Sequence, residues 1–157
     1  MIDKVTSKQC MLTALYAPVR SRDKDIFCNN LKQLNMLITL PWCLIGDFNE
    51  LLQPSDKVGG APPTLVRTRR LNDFLAHTNS FYAHVQGREY TWKKFLLGQL
   101  AHEKLDRVIF REDWAQLCPN YLVSNGPFTC SDHAFVLLTT DPVHPPRRGT
   151  LFKYQHS

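Results

Sequence analysis

The chain contains no run of eighteen or more apolar residues, which excludes a membrane-spanning helix, and no membrane partner is expected. Its opening stretch, MIDKVTSKQC, has no apolar segment of the kind a secretory signal needs, so an intracellular location is the default. No two cysteines are spaced CxxC. The five that exist (Cys10, Cys28, Cys43, Cys118 and Cys130) are odd in number and scattered, which supports neither a disulfide framework nor a zinc cluster. Three of them lie in apolar, strand-like runs, where a free thiol behaves as a small hydrophobe, and a reduced compartment fits best. Internal repeats and low-complexity tracts are also absent. A length of 157 residues suits one domain, and a content of 43% hydrophobic and 21% charged residues argues against disorder. A chain of this length buries about two-thirds of its unfolded surface, enough for an ordinary core.

The formal charge is +5 and the pI about 9.0, a weak tilt toward anionic partners such as nucleic acid. Much of the excess falls in short groups: Arg67, Arg69 and Arg70; Lys93 and Lys94; Arg147 and Arg148. Solvated faces and a basic tail account for these groups equally well.

The stretch QCMLTALYAP alternates as a strand that Pro18 closes, since proline cannot donate to a sheet ladder. In the following segment Phe27, Leu31, Leu34 and Ile38 are spaced as one face of a helix, with Ser21 placed to cap it. WCLIGDF is the next strand. These residues predict a β-α-β unit covering both faces of a sheet. The loop QPSDKVGGAPPT is long and rich in turn formers, which suits a surface loop near a site. LVRTRRLNDFLAHT predicts an amphipathic helix with Leu71, Phe74 and Leu75 inward and the arginines outward. EYTWKKF and KLDRVIF predict paired strands, with Asp106, Val108 and Phe110 on one face of the second. REDWAQL predicts a short helical turn and AFVLLTTD the last strand. The remainder, 141–157, is proline-rich, basic and aperiodic, and reads as a linker leading out of a domain over 1–140.

Several strands end in polar chemistry. WCLIGDFNELL stops abruptly on Asp47 and Asn49, which alternation places on one side of the chain beyond the strand's end. In open α/β sheets that is where ligands bind. Gly, Asp and Asn are equally the residues of an ordinary turn. Tyr16 before a proline suits packing, Asp106 suits a surface charge or a partner for Lys104 or Arg107, and Ser-Asp-His suits a turn.

In order, however, LYAP (Tyr16), IGDFNE (Asp47, Asn49), YTW (Trp92), KLDRVIF (Asp106) and SDHAFV (Asp132, His133) resemble the endonuclease/exonuclease/phosphatase superfamily. The group includes abasic-site endonucleases, deoxyribonuclease I, inositol-polyphosphate phosphatases and the endonuclease domains of LINE-type (non-LTR) retrotransposons. The loop SDKVGGAPP and the ending FKYQHS look most like plant LINE elements. The resemblance implies a four-layer α/β sandwich and divalent-metal phosphodiester hydrolysis on DNA, in the nucleus, with Mg²⁺ or Mn²⁺ as cofactor. It implies that His133 contacts the scissile phosphate as base or charge stabiliser and that Asp106 orients it. Asp47 would position the attacking water, Asn49 and Tyr16 would hydrogen-bond the phosphate, and Asp132 would lie by the metal. Trp92 would sit at the nucleic-acid edge, or pack in the core.

The family pattern begins with an asparagine-ended strand and a Gln-Glu motif whose glutamate is the main metal ligand. The nine residues before Cys10 contain no glutamate. The expectation is therefore the C-terminal part of such a domain, inactive alone, with a sheet face left uncovered and open to self-association. Two alternatives stand beside it. One is a phosphoesterase completed by Glu50, Glu103 or a second chain; the other is a non-catalytic nucleic-acid-binding remnant.

Overall fold

The computed structural model describes residues 9–96 and 98–141. Strand β1 (Met11–Tyr16), helix α1 (Ser21–Leu37) and strand β2 (Trp42–Asp47) form the expected β-α-β unit, with β1 and β2 parallel. Ser21 does not cap the helix. The capping position is Arg20, in extended conformation and without a side-chain cap bond, and Ser21 is the first helical residue. Its hydroxyl accepts a hydrogen bond from Arg70 Nη2 at 2.8 Å instead.

β2 and β8 (Asp106–Arg111) form the centre of a four-stranded sheet ordered β1-β2-β8-β4, where β4 is Ser80–Tyr82. Both central strands are buried on both faces, so their sequences read as nearly continuous apolar runs. Alternation sorts their side chains between two clusters. Trp42, Leu44 and Ile109 pack with Leu31 of α1 and with Leu71 and Phe74 of α2 (Leu65–Thr78). Cys43, Val108 and Phe110 pack on the other side with Trp114 and Val123. These come from α3 (Glu112–Leu117) and β9 (Leu122–Asn125). Helices lie on both faces, but a second sheet shares one of them. α1 and α2 share one face, and the other is covered by α3 and a three-stranded sheet, β10-β9-β5, of Val136–Thr139, Leu122–Asn125 and Val85–Gly87.

EYTWKKF and KLDRVIF do not pair with each other. β6 (Trp92–Leu96) turns back into β7 (Gln99–Glu103), which pairs with β3 (Lys57–Val58). KLDRVIF, as β8, pairs with β2 and β4. The loop after β2 is correspondingly more ordered than its glycines and prolines indicate, holding a 3-10 turn at Pro54–Asp56 and then β3. The arginines of α2 do not all face outward. Arg69 is exposed, whereas Arg67 and Arg70 fold inward onto Glu103 and Glu50.

Apolar surface remains open along β1, where Met11 and Leu12 are exposed, and at Leu137 of β10. Between these strands runs a groove of about 320 Å³ lined by Leu12, Ile45, Trp114 and Val136 to Leu138. Among the described residues no helix is long and apolar enough to cross a membrane. Apart from Asp141, the linker expected over 141–157 lies outside the described residues.

Candidate active site

Sheet register builds the site. Tyr16 ends β1 opposite Asp47 at the end of β2, and Asp47 in turn stands opposite Asp106 at the start of β8. Three sequence-distant polar residues thus form one row across one end of the sheet. The row depends on Gly46, whose φ is +145° and at which a Cβ would lie 2.0 Å from the Leu15 carbonyl oxygen. Any side chain there would push β1 off β2 and separate Tyr16 from Asp47. Past the strand end, Ala17 N–H donates to the Asp47 carbonyl at 2.7 Å and Phe48 N–H to the Leu105 carbonyl at 3.0 Å, holding the three strand ends together.

Asp47 is only 6% exposed. Its carboxylate accepts from Asn49 N–H and from Asn49 Nδ2, each at 2.8 Å. Asn49 sits at φ 51°, the left-handed region that asparagine tolerates, which turns its amide back onto the strand end. Its second amide hydrogen goes to the Ala17 carbonyl at 2.9 Å. The amide thus bridges Asp47 and the Ala17 carbonyl and holds Asp47 in place. Burial pushes the Asp47 carboxyl above its ordinary value of 3.8; the Asn49 N–H opposes this, Asp106 adds to it, and His133 and Lys24 oppose it.

His133 enters from the loop joining β9 to β10. Its Nδ1 lies 2.9 Å from Asp106 Oδ2. A carboxylate at Nδ1 takes a proton there and leaves Nε2 as the free nitrogen. The loop is pinned to β6: Ala134 N–H donates to the Thr91 carbonyl at 2.7 Å and Lys93 N–H to the Asp132 carbonyl at 3.0 Å. Trp92 and His133 form a bridge, and the Trp92 indole N–H donates to Asp132 Oδ2 at 3.1 Å. Trp92 is half-buried, and its polar edge positions the loop. Tyr16 is 70% exposed at the head of the row, its side chain open to solvent.

Two residues of this architecture were not anticipated. Thr91 is fully buried, and its hydroxyl accepts the N–H groups of both Leu105 and Asp106, at 3.0 and 2.9 Å. With its carbonyl on Ala134, it ties the Asp106 strand to the His133 loop. A threonine opening a strand carries no sequence signal of such a role. Lys24 is the second. It reads as a solvated helix residue, yet it is buried and donates from Nζ to the Asn49 carbonyl at 2.6 Å while pairing with Glu50 at 3.5 Å. Burial lowers its pKa, and the Glu50 carboxylate pulls against that.

Glu50 and Glu103, the candidates for completing a metal site, are held elsewhere. Glu50 accepts from Arg70 Nη1 at 3.0 Å besides pairing with Lys24, and Glu103 accepts a two-pronged contact from Arg67 at 3.1 and 2.7 Å. Asp132 is exposed, with one oxygen on Trp92. Among the described residues no three of His, Cys, Asp and Glu stand together as a ligand set. The described residues therefore do not by themselves fit a hard divalent cation, which takes several oxygen ligands in defined geometry.

No protein-family model matches the chain, and no curated protein does. Among solved structures it is similar to "Endonuclease domain of TRAS1, a telomere-specific non-LTR retrotransposon", with a TM-score of 0.55 and 16% identity. The match covers 73% of this chain and 50% of that one, so the chain spans about half that structure's length. At this identity the likeness is one of fold: mixed sheets with few helices, arranged as in a retrotransposon endonuclease domain.

Proposed function

We propose that this chain carries the phosphate-handling part of a DNA phosphodiester-cleaving site of the LINE endonuclease kind, and that it is inactive alone. The observation that carries the reading is the row Tyr16–Asp47–Asp106, closed by His133 on Asp106. The motif order and the fold likeness support it, as does the nature of the chemistry, which relies mainly on placement and charge stabilisation. His133 Nε2 faces the phosphate as base or charge stabiliser, with Asp106 setting its tautomer. Asp47, made more basic than an ordinary carboxylate by burial, orients the attacking water. The Tyr16 hydroxyl donates to a phosphate oxygen. Asn49 positions Asp47, a role that differs from the direct phosphate contact implied by the resemblance.

Mg²⁺ or Mn²⁺ belongs to this chemistry in the family that the motifs resemble. Since the described residues form no ligand set, we infer that the missing carboxylate lies outside them, and that Asp132 is a peripheral contributor at most. The four-layer sandwich, the correspondence to the C-terminal part of the domain, the plant-type origin and nuclear action belong to the same reading and rest on the motifs. A second reading, self-association, is favoured by the apolar groove between β1 and β10. Sedimentation velocity tests it: a dimer that Leu12→Asp disperses supports it, and a monomer at all concentrations rejects it.

The functional reading is tested by NMR titration with a phosphorothioate duplex. Perturbation of the Tyr16 and His133 side chains is the expected result. A duplex that binds while leaving both side chains unmoved would reject the site.

A further inference from the structure

Most cations of the fold are neutralised internally. Lys24, Lys57, Arg67, Arg70, Arg107 and Arg111 are each within 4.0 Å of a carboxylate. Among the described residues no carboxylate pairs with Arg20, Lys32, Arg88, Lys93, Lys94 or Lys104. Four of these six fall between 88 and 104, on β6, β7 and their flanks, the segment that carries Thr91 and Trp92.

Two of the four are held in place by the His133 loop itself. Phe128, five residues before His133, lies beneath both Lys93 Nζ, 4.6 Å from the ring centroid, and Arg88 Cζ, 5.0 Å from it. A ring attracts each cation through its negative face. It does not cancel the repulsion between two cations gathered on it; an anion set against both of them does. Lys93 is further anchored through its own N–H on the Asp132 carbonyl at 3.0 Å, one residue from His133. The Asp132 carboxylate is turned to the Trp92 indole and not to either cation.

We propose that Arg88 and Lys93, paired on Phe128, form a backbone clamp that grips a phosphate of duplex DNA beside the one presented to His133. The inference rests on the site reading above and adds to it a contact that fixes the register of the strand without reading its bases. Phosphodiester backbone suits the clamp because it offers closely spaced negative oxygens along a continuous track, and Lys94 and Lys104 extend the positive segment.

Fluorescence anisotropy with the complete 157-residue chain and a labelled duplex, from low to moderate salt, tests the clamp. Arg88→Gln and Lys93→Gln should each weaken binding roughly threefold to tenfold and lower the slope of log K against log salt by about one. Lys32→Gln, an unpaired cation on α1, should change neither. Phe128→Leu keeps both charges but removes the ring, so affinity should fall while the slope holds; circular dichroism confirms that each variant folds. Arg88→Gln and Lys93→Gln binding as wild type does would overturn the proposal, as would a folded wild type that binds no duplex. Polyglutamate competing as well as DNA, or RNA bound in preference with the same variant dependence, would overturn the DNA assignment. The two readings separate in the wild-type chain: if Arg88→Gln and Lys93→Gln weaken binding as expected while the phosphorothioate duplex leaves Tyr16 and His133 unmoved, the site falls and the clamp stands.

Discussion

Asp106 Oδ2 and His133 Nδ1 lie 2.9 Å apart, joining the first residue of β8 to a loop 27 residues further on. Neither residue reaches the other through its own segment. The contact exists because the start of β6 and the residue before it hold both: Thr91 grips the backbone at Asp106, and Trp92 bridges His133.

That geometry fixes the imidazole. Neutral His133 should carry its proton on Nδ1, and two-dimensional ¹⁵N correlation spectra should show this tautomer dominant in the wild type. Asp106→Ala should release it toward a mixture. An Nε2–H tautomer in the wild type would contradict the assignment of Asp106 as the orienting group.

Thr91→Val replaces a hydroxyl by a methyl group at a fully buried position and leaves two N–H groups without their acceptor. Denaturant unfolding should show a loss of about 2–4 kcal/mol, with Thr91→Ser restoring most of it. The valine variant should also lose the single His133 tautomer, which a defect confined to stability would leave intact.

Acid should weaken the fold through Glu103. Its burial favours the neutral acid, but the two-pronged contact from Arg67, with Lys57 beside it, outweighs this and holds the pKa below the ordinary 4.5. A carboxyl with a depressed folded-state pKa adds stability that is fully present above its unfolded value. That stability is lost as pH falls from about 4.5 through the folded pKa. Arg67→Met should cost about 2–3 kcal/mol at neutral pH, and the difference from wild type should shrink below that window. A difference constant down to pH 2 would show that the pair contributes no linkage.

The thiols should divide by reactivity. Burial, reinforced by Cys10 and Cys118, pushes Cys43 up to about 12, whereas Cys130 is exposed in the His133 loop. With a maleimide at neutral pH, Cys130 should label at once and Cys43 only on unfolding. Labelling of Cys43 in the folded chain would mean that the β2 core opens far more readily than its packing implies.

The central part of this fold was legible because its two middle strands are buried on both faces. WCLIG and VIF cannot be read as anything but interior, and Phe27, Leu31, Leu71 and Phe74 mark the helices that cover one side. The strands not legible there, β3, β4, β5, β7 and β9, run two to five residues and mix polar with apolar positions, too short to show a period. β7 was the costly one: without it, β6 was assigned to β8. The sequence-expected site residues Tyr16, Asp47, Asn49, Asp106, Asp132, His133 and Trp92 do fall into one connected set, because strand ends and polar motifs coincide. Thr91 and Lys24 escaped notice because their importance lies in which backbone atoms they meet, a property of register and packing that residue type does not announce.

A supercoiled-plasmid nicking assay on the purified, folded chain, with Mg²⁺ and with EDTA beside His133→Ala, decides whether this is a partial site. No nicking that depends on His133 is the result the account predicts. EDTA-sensitive nicking lost in His133→Ala would contradict it and show that the chain assembles a complete metal-dependent centre.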